Sequence, residues 1–186
     1  MRWLLVWCGT TAAVGAILWV YKGVAIIITG NQPDHAFQVA PFFFGVSVVT
    51  LVYSLVSALR RPRWLLVGLG WLAVVAGATA AIAHFAQNED GLGDPAYLVN
   101  FLSTILVFFL IGGDTRRKGL LPKWSSTPTF LAWALLAVIP FGAVLEGIDE
   151  RLIEVPLLVA SVGWAMLAVA AFSSPPPDAI VQTQHS

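Results

Sequence analysis

Apolar residues run almost without interruption from Trp3 to Ile28, and the same texture returns five more times before the chain ends. The breaks between runs are built from turn-forming and charged residues. They are Gly30-Asn31-Gln32-Pro33-Asp34-His35, Arg60-Arg61-Pro62-Arg63, the segment from Gln87 to Asp94, and Gly112-Gly113-Asp114 ahead of Arg116-Arg117-Lys118. A helix crossing a hydrocarbon core of about 30 Å needs roughly 20 apolar residues. Six spans are therefore expected, over about residues 3–21, 41–59, 64–85, 96–111, 128–145 and 155–172. Residues 24–29 would extend the first span at a tilt, Pro41 falls in a tolerated first turn, and Pro140 is expected to kink the fifth span. Turn residues collect in the breaks because an open backbone in lipid leaves its polar groups unsatisfied. The predicted fold class is an all-α integral membrane protein: residues 1–172 form a six-helix transmembrane bundle of three consecutive helical hairpins. Residues 173–186, with Pro175-Pro176-Pro177, are expected to be an extended, disordered cytoplasmic tail.

Composition supports the membrane reading, since 58% hydrophobic and 11% charged residues lie far from the soluble norm of about 45–50% and about 25%, with a mean hydropathy of +0.82. Net charge is zero, so no nucleic-acid partner is implied, and the charges matter through their placement. Cytoplasmic loops carry the excess of Lys and Arg. With the Arg60, Arg61, Arg63 elbow inside, Arg2, Arg116, Arg117, Lys118 and Lys123 are inside as well, and only Lys22 and Arg151 fall outside. The acids divide the other way: Asp34, Glu89, Asp90, Asp94, Glu146, Asp149, Glu150 and Glu154 are outside. The expected topology places both termini in the cytoplasm, in a multi-pass protein of the plasma or inner membrane. The N-terminus reads as an uncleaved first span, because the apolar run continues well beyond a signal-peptide core.

Two words recur along the chain. Arg2-Trp3-Leu4-Leu5-Val6 returns as Arg63-Trp64-Leu65-Leu66-Val67, and Asp34-His35-Ala36-Phe37 is echoed by Asp94-Pro95-Ala96-Tyr97, at offsets of 61 and 60 residues. The pattern fits a duplicated helical hairpin, with the third hairpin of similar length but without shared words.

Candidate chemistry is sparse. Lys22 is an ionisable group inside an apolar run, which marks either function or a lysine snorkelling to the headgroups; a pairing with Glu146 at the outer end of the fifth span is one expectation. Ser47, Thr50, Ser54 and Ser57 fall on one helical face, and Asn100, Ser103 and Thr104 are positioned to meet it. Such a stripe lines a solute path or, as the favoured reading, serves helix packing. Lys22, Ser47, Thr50, Ser54, Asn100 and Glu146 are thus the ligand-path candidates. Small residues at Cys8, Ala12 and Ala16 and at Ala73, Gly77 and Ala81 form two close-approach seams, one of them available for a partner protein. The lone Cys8 excludes an intrachain disulfide and any cysteine-based cluster.

His35, His84 and Asp94 are weak candidates for a cation, since Asn88-Glu89-Asp90-Gly91 fails the EF-hand register with Ala86 and Tyr97 at its ends. His84 with Asp94 also has the form of a base and its orienting acid, but the sequence carries no GxSxG, HExxH, P-loop or GxGxxG motif. No catalytic residues and no cofactor are predicted. Trp3, Trp7, Trp64 and Trp124 are expected in an inner interfacial belt, and Trp19, Trp71, Trp133 and Trp164 in packing and lipid contact.

Six helices in a chain of this length with both ends inside resemble the plan of the substrate-binding subunits of energy-coupling-factor vitamin importers, and Ala12 and Ala16 resemble their small-residue coupling motif. None of the vitamin-binding residues carries over. Three readings follow. The first is a non-enzymatic subunit or accessory protein acting through helix contacts, with the bilayer, another membrane protein or a second copy as partner. The second is a small-solute binder or transporter. The third is an outer-face enzyme using His84 and nearby carboxylates.

Overall fold

The computed structural model describes residues 2–33, 35–86, 89–121, 124–146 and 148–174, without the side chains of His35, Ala36, Glu89, Asp90, Ala143, Glu146 and Glu150. The described chain is all-helical. Six helices are present: α1 (Arg2–Thr29), α2 (Ala40–Leu55), α3 (Arg63–Phe85), α4 (Asp94–Lys118), α5 (Thr127–Glu146) and α6 (Glu154–Ser173). Short 3-10 turns at His35–Val39 and Glu150–Ile153 and a π-helical turn at Glu89–Gly93 join them at one end. Five of the helices are long and apolar enough to cross a membrane, while α5 offers the shorter apolar stretch Thr127–Gly142. This is the make-up of a multi-pass membrane protein.

Three boundaries differ from the sequence expectation, each for a local reason. α1 is one continuous helix of 28 residues, about 42 Å at 1.5 Å per residue, because Lys22 and Gly23 do not interrupt its hydrogen bonding. α2 ends at Leu55, so Ser57 lies in the turn beyond it rather than on its polar face. α4 runs through Gly112-Gly113-Asp114 to Lys118. Neither glycine stops it; the helix ends instead at Gly119, left-handed at φ 59°, whose N–H returns to the Thr115 carbonyl. The expected tail beyond Ser174, the loop residues Gln87 and Asn88, and Lys123 lie outside the described residues.

The helices form a ring in chain order, each packed on the next, and α6 closes the ring on α1. Neighbours run in opposite directions, as the short turns between them and the contacts of the glycines show. A Cβ at Gly9 would meet Phe172 and one at Gly23 would meet Leu158, so α1 and α6 are antiparallel. Gly45 faces Ala73 and Gly77 faces Pro41 in the α2–α3 pair, and Gly112 faces Thr129 in the α4–α5 pair. Alternation brings Arg2, the Arg60–Arg63 elbow and Arg116–Lys118 to one end of the ring, and the connecting turns with the acids to the other. We call these the basic and acidic ends.

Four helices meet at the centre through aromatic rings. Phe44 of α2 stacks on Trp164 of α6 at 4.2 Å, while Trp19 of α1 meets Phe44 edge-on at 4.8 Å and Phe108 of α4 meets Trp164 at 5.4 Å. Trp3, Trp7 and Trp64 are exposed near the basic end, and Trp71 and Trp133 are exposed on the flanks. At the basic end the α2–α3 elbow is pinned to α4. The Arg60 N–H donates to the Asp114 carboxylate at 2.8 Å, and the Lys118 ammonium donates to the Ala58 carbonyl. Asp114 is buried, whereas Arg60, Arg61, Arg63, Arg116 and Arg117 are exposed around it.

Candidate functional site, a polar pocket at the acidic end

Lys22 sits on α1 about 30 Å from Arg2 along the helix axis, 20 residues at 1.5 Å each, so its ammonium lies one hydrocarbon thickness from the basic end. It does not simply reach outward. Its Nζ is 3.1 Å from Oε1 of Glu154, the first residue of α6, and 5.5 Å above the ring of Phe37 in the 3-10 turn before α2. The Lys22 side chain is 20% exposed and that of Glu154 only 4%, so the carboxylate stands behind the ammonium, which faces the open side. A buried carboxylate of this kind is tolerated only with a partner. The ring closure between α1 and α6 provides it.

The open side is a pocket of about 260 Å³. Three helices, one turn and one loop contribute its polar lining: Lys22 from α1, His84 from α3, Asp94 and Tyr97 from α4, Gln38 from the 3-10 turn and Gln32 from the loop before it. Trp19 and Phe37 supply apolar surface. Asp94 is exposed and, as the first residue of α4, its negative charge is favoured by the dipole of that helix. Beneath the pocket the bundle is tight. The next space, bounded by Trp19, Phe44, Tyr97, Asn100, Thr104 and Trp164, measures only about 10 Å³, room for one water molecule at most. The pocket is therefore blind, with the aromatic centre as its floor.

Ser47, Thr50, Ser54 and Asn100 do not line it. Ser47 Oγ donates to the Cys8 carbonyl at 3.1 Å and touches Cys8 Sγ at 3.4 Å, which ties α2 to α1. Thr50 and Ser54 donate to the carbonyls one turn earlier on their own helix, at 2.7 Å each. Asn100 reaches out of α4 to two other helices, its Nδ2 donating to the Pro41 carbonyl at 3.1 Å and the Ala73 carbonyl at 2.7 Å. Ser47 and Asn100 thus hold helices together in the way polar side chains do in membranes, while Thr50 and Ser54 are satisfied within their own helix. The Cys8, Ala12, Ala16 seam and the Ala73, Gly77, Ala81 seam are likewise buried within the bundle. The Glu146 side chain, expected as the partner of Lys22, lies outside the described residues, and the carboxylate found on the ammonium is Glu154.

His84 and Asp94 do share the pocket, but the side chain of His35 is outside the described residues, and no group of three or more His, Cys, Asp and Glu able to hold a metal ion forms among those described. Sequence reasoning missed Glu154, Phe37, Gln32, Gln38 and Tyr97. Glu154 had a signal, since it is the acid that opens the sixth apolar run. The others become neighbours only through the ring.

A second concavity is apolar. Between α1 and α6, on the flank of the ring, Ala13, Ala16, Ile17, Val20, Ala165, Ala168 and Val169 border a groove of about 620 Å³.

Compared with known protein families, characterised proteins and solved structures, the chain matches none.

Proposed function

We propose that this is a membrane protein that binds a small polar solute in the pocket at its acidic end, with both termini and the basic end on the cytoplasmic side and the pocket facing outward. The observation that carries the reading is the convergence of Lys22, His84, Asp94 and Tyr97, from three helices, on one blind pocket. Ionisable side chains within membrane-spanning helices face the bundle interior or a water-filled cavity and mark functional sites, and ligand sites combine such convergent groups with apolar walls. The division of arginines and acids between the two ends supports the orientation. The similar words that begin α1 and α3 support descent of the first four helices from a duplicated hairpin.

Solute binding is tested with the purified protein in detergent by following tryptophan emission, since Trp19 lines the pocket, against panels of amino acids, sugars, nucleosides and organic ions. Saturable change with one panel, lost on filling the pocket with Ala80→Trp, is the expected result; silence across all panels refutes the reading. Orientation is tested by a cysteine at Gly91, an exposed position at the acidic end, because the native Cys8 is fully buried. A membrane-impermeant maleimide should label Gly91→Cys in intact cells.

The apolar α1–α6 groove supports the accessory-subunit reading, in which another transmembrane helix lies between Ala13, Ala16, Ala165 and Ala168. Co-purification from mild detergent that is lost on Ala165→Phe tests it.

A further inference from the structure

From the two charges that face the pocket, we propose that the solute is a small zwitterion of the amino-acid type, its carboxylate held by Lys22 and its ammonium by Asp94. The proposal rests on the solute-binding reading above and adds the ligand class to it.

The ring geometry supplies the first argument. α1 packs on α2 and α6, whereas α4 packs on α3, on α5 and, less closely, on α2, so the two helices are not neighbours around the ring. Lys22 and Asp94 therefore enter the pocket from different helices, so a ligand that reaches both meets a positive group and a negative one. A carboxylate alone satisfies one group and leaves its charge facing the other; an ammonium alone has the converse problem. A solute carrying both charges on neighbouring carbons satisfies both.

The second argument is the state of each group. An ammonium has three donors, and Glu154 Oε1 takes one of them from behind at 3.1 Å. The pair holds the ammonium in place and leaves it donors to offer a ligand, the Lys22 side chain being 20% exposed. Glu154 is thus a positioning residue for Lys22. Asp94 has only acceptors and makes no hydrogen bond or ion pair among the described residues, so its carboxylate can meet an ammonium without losing a protein partner. Gln32 and Gln38 add amide groups able to donate or accept, and the Trp19 and Phe37 rings give a side chain an apolar surface to rest on.

Size is the third argument. About 260 Å³ lies below the range of about 300–1,000 Å³ typical of sites for drug-sized ligands, which points to a solute of amino-acid size.

The test uses the full chain in detergent and reads Trp emission and thermal stability. Each probe amino acid is compared with the two molecules made by deleting one of its charges: alanine with propionate and ethylammonium, leucine with 4-methylpentanoate and isopentylammonium, glutamine with its deaminated and decarboxylated forms. The expected result is that at least one amino acid binds tenfold or more tighter than both of its fragments. Asp94→Asn, at an exposed position that does not threaten folding, should bring that amino acid down to the affinity of its acid fragment. Lys22→Gln should bring it down to the affinity of its amine fragment. A fragment that binds as tightly as its parent, or a wild-type advantage that survives in Asp94→Asn, overturns the zwitterion assignment. The same holds if a sugar or nucleoside binds and no amino acid does. In all three cases the solute-binding reading stands, whereas absence of binding by every probe removes both.

Discussion

Gly77 and Gly68 lie on the same helix, nine residues apart, and the structure sets opposite outcomes for adding one methyl group to each. At Gly68 a Cβ would have nothing within 4 Å, whereas at Gly77 it would lie 2.6 Å from the Pro41 carbonyl oxygen and 2.7 Å from its carbon. Backbone cannot swing aside as a side chain does, so Gly77→Ala must push α2 and α3 apart by several tenths of an ångström. Overpacking of this kind costs about 1–3 kcal/mol. The separation also strains Asn100, whose single amide nitrogen spans the Pro41 and Ala73 carbonyls on the two helices being separated. Losing one such interhelical bond adds about 0.6–1.7 kcal/mol. The intrinsic helix preference of Ala over Gly offsets up to about 1 kcal/mol of that sum.

The net expectation is a destabilisation of about 1–3 kcal/mol for Gly77→Ala and a neutral or slightly stabilising Gly68→Ala, as both reasoned effects apply only to the first. Reversible unfolding in mixed micelles, followed by tryptophan emission, measures both. A double-mutant cycle with Asn100→Ala should show coupling, because the two substitutions damage the same junction. If Gly77→Ala proves as harmless as Gly68→Ala, the close α2–α3 approach described above is wrong.

Further outcomes are expected elsewhere in the ring. Lys22→Met leaves a carboxylate that is 4% exposed without its counter-charge, and breaking a buried pair in that way costs about 3–5 kcal/mol at the upper end. Glu154→Gln should cost clearly less, since the ammonium left behind is 20% exposed to the pocket, and the double mutant should fall short of the sum in the same unfolding assay. Asp114→Asn weakens the acceptor for the Arg60 N–H; we expect faster trypsin cleavage after Arg60 in the detergent-solubilised protein, with a stability loss of about 1 kcal/mol. Gly15→Leu should unfold the protein or block its accumulation in the membrane, since even a Cβ there would lie 2.4 Å from the Phe44 ring at the centre of the bundle.

Helix number and type were legible because lipid imposes a length and an apolarity that few other sequences meet. Boundaries were less so. The expected stop of α4 at Gly112-Gly113 mistook close packing for chain reversal: Gly112 is small because Thr129 lies against it, and the reversal falls at Gly119. Lys22 stood out from its apolar neighbours, but its partner could not be read, because four acids in residues 146–154 fall within reach of the outer end and only the closing of the ring selects Glu154. The serine and threonine stripe shows the opposite limit. Its spacing was plain, and its use was not, since a hydroxyl that bonds its own helix leaves the same mark in sequence as one that lines a path.

The closure of the ring sets an order of events during biosynthesis. α1 leaves the ribosome first and α6 last, so the ammonium of Lys22 enters the bilayer more than a hundred residues of synthesis before the carboxylate of Glu154 exists to meet it. Until then the nascent chain has an unpaired cation near the membrane surface and an open seam along its first helix. A chain that stops short of α6 keeps both, the ammonium without its counter-charge and the first helix without the partner that closes the ring.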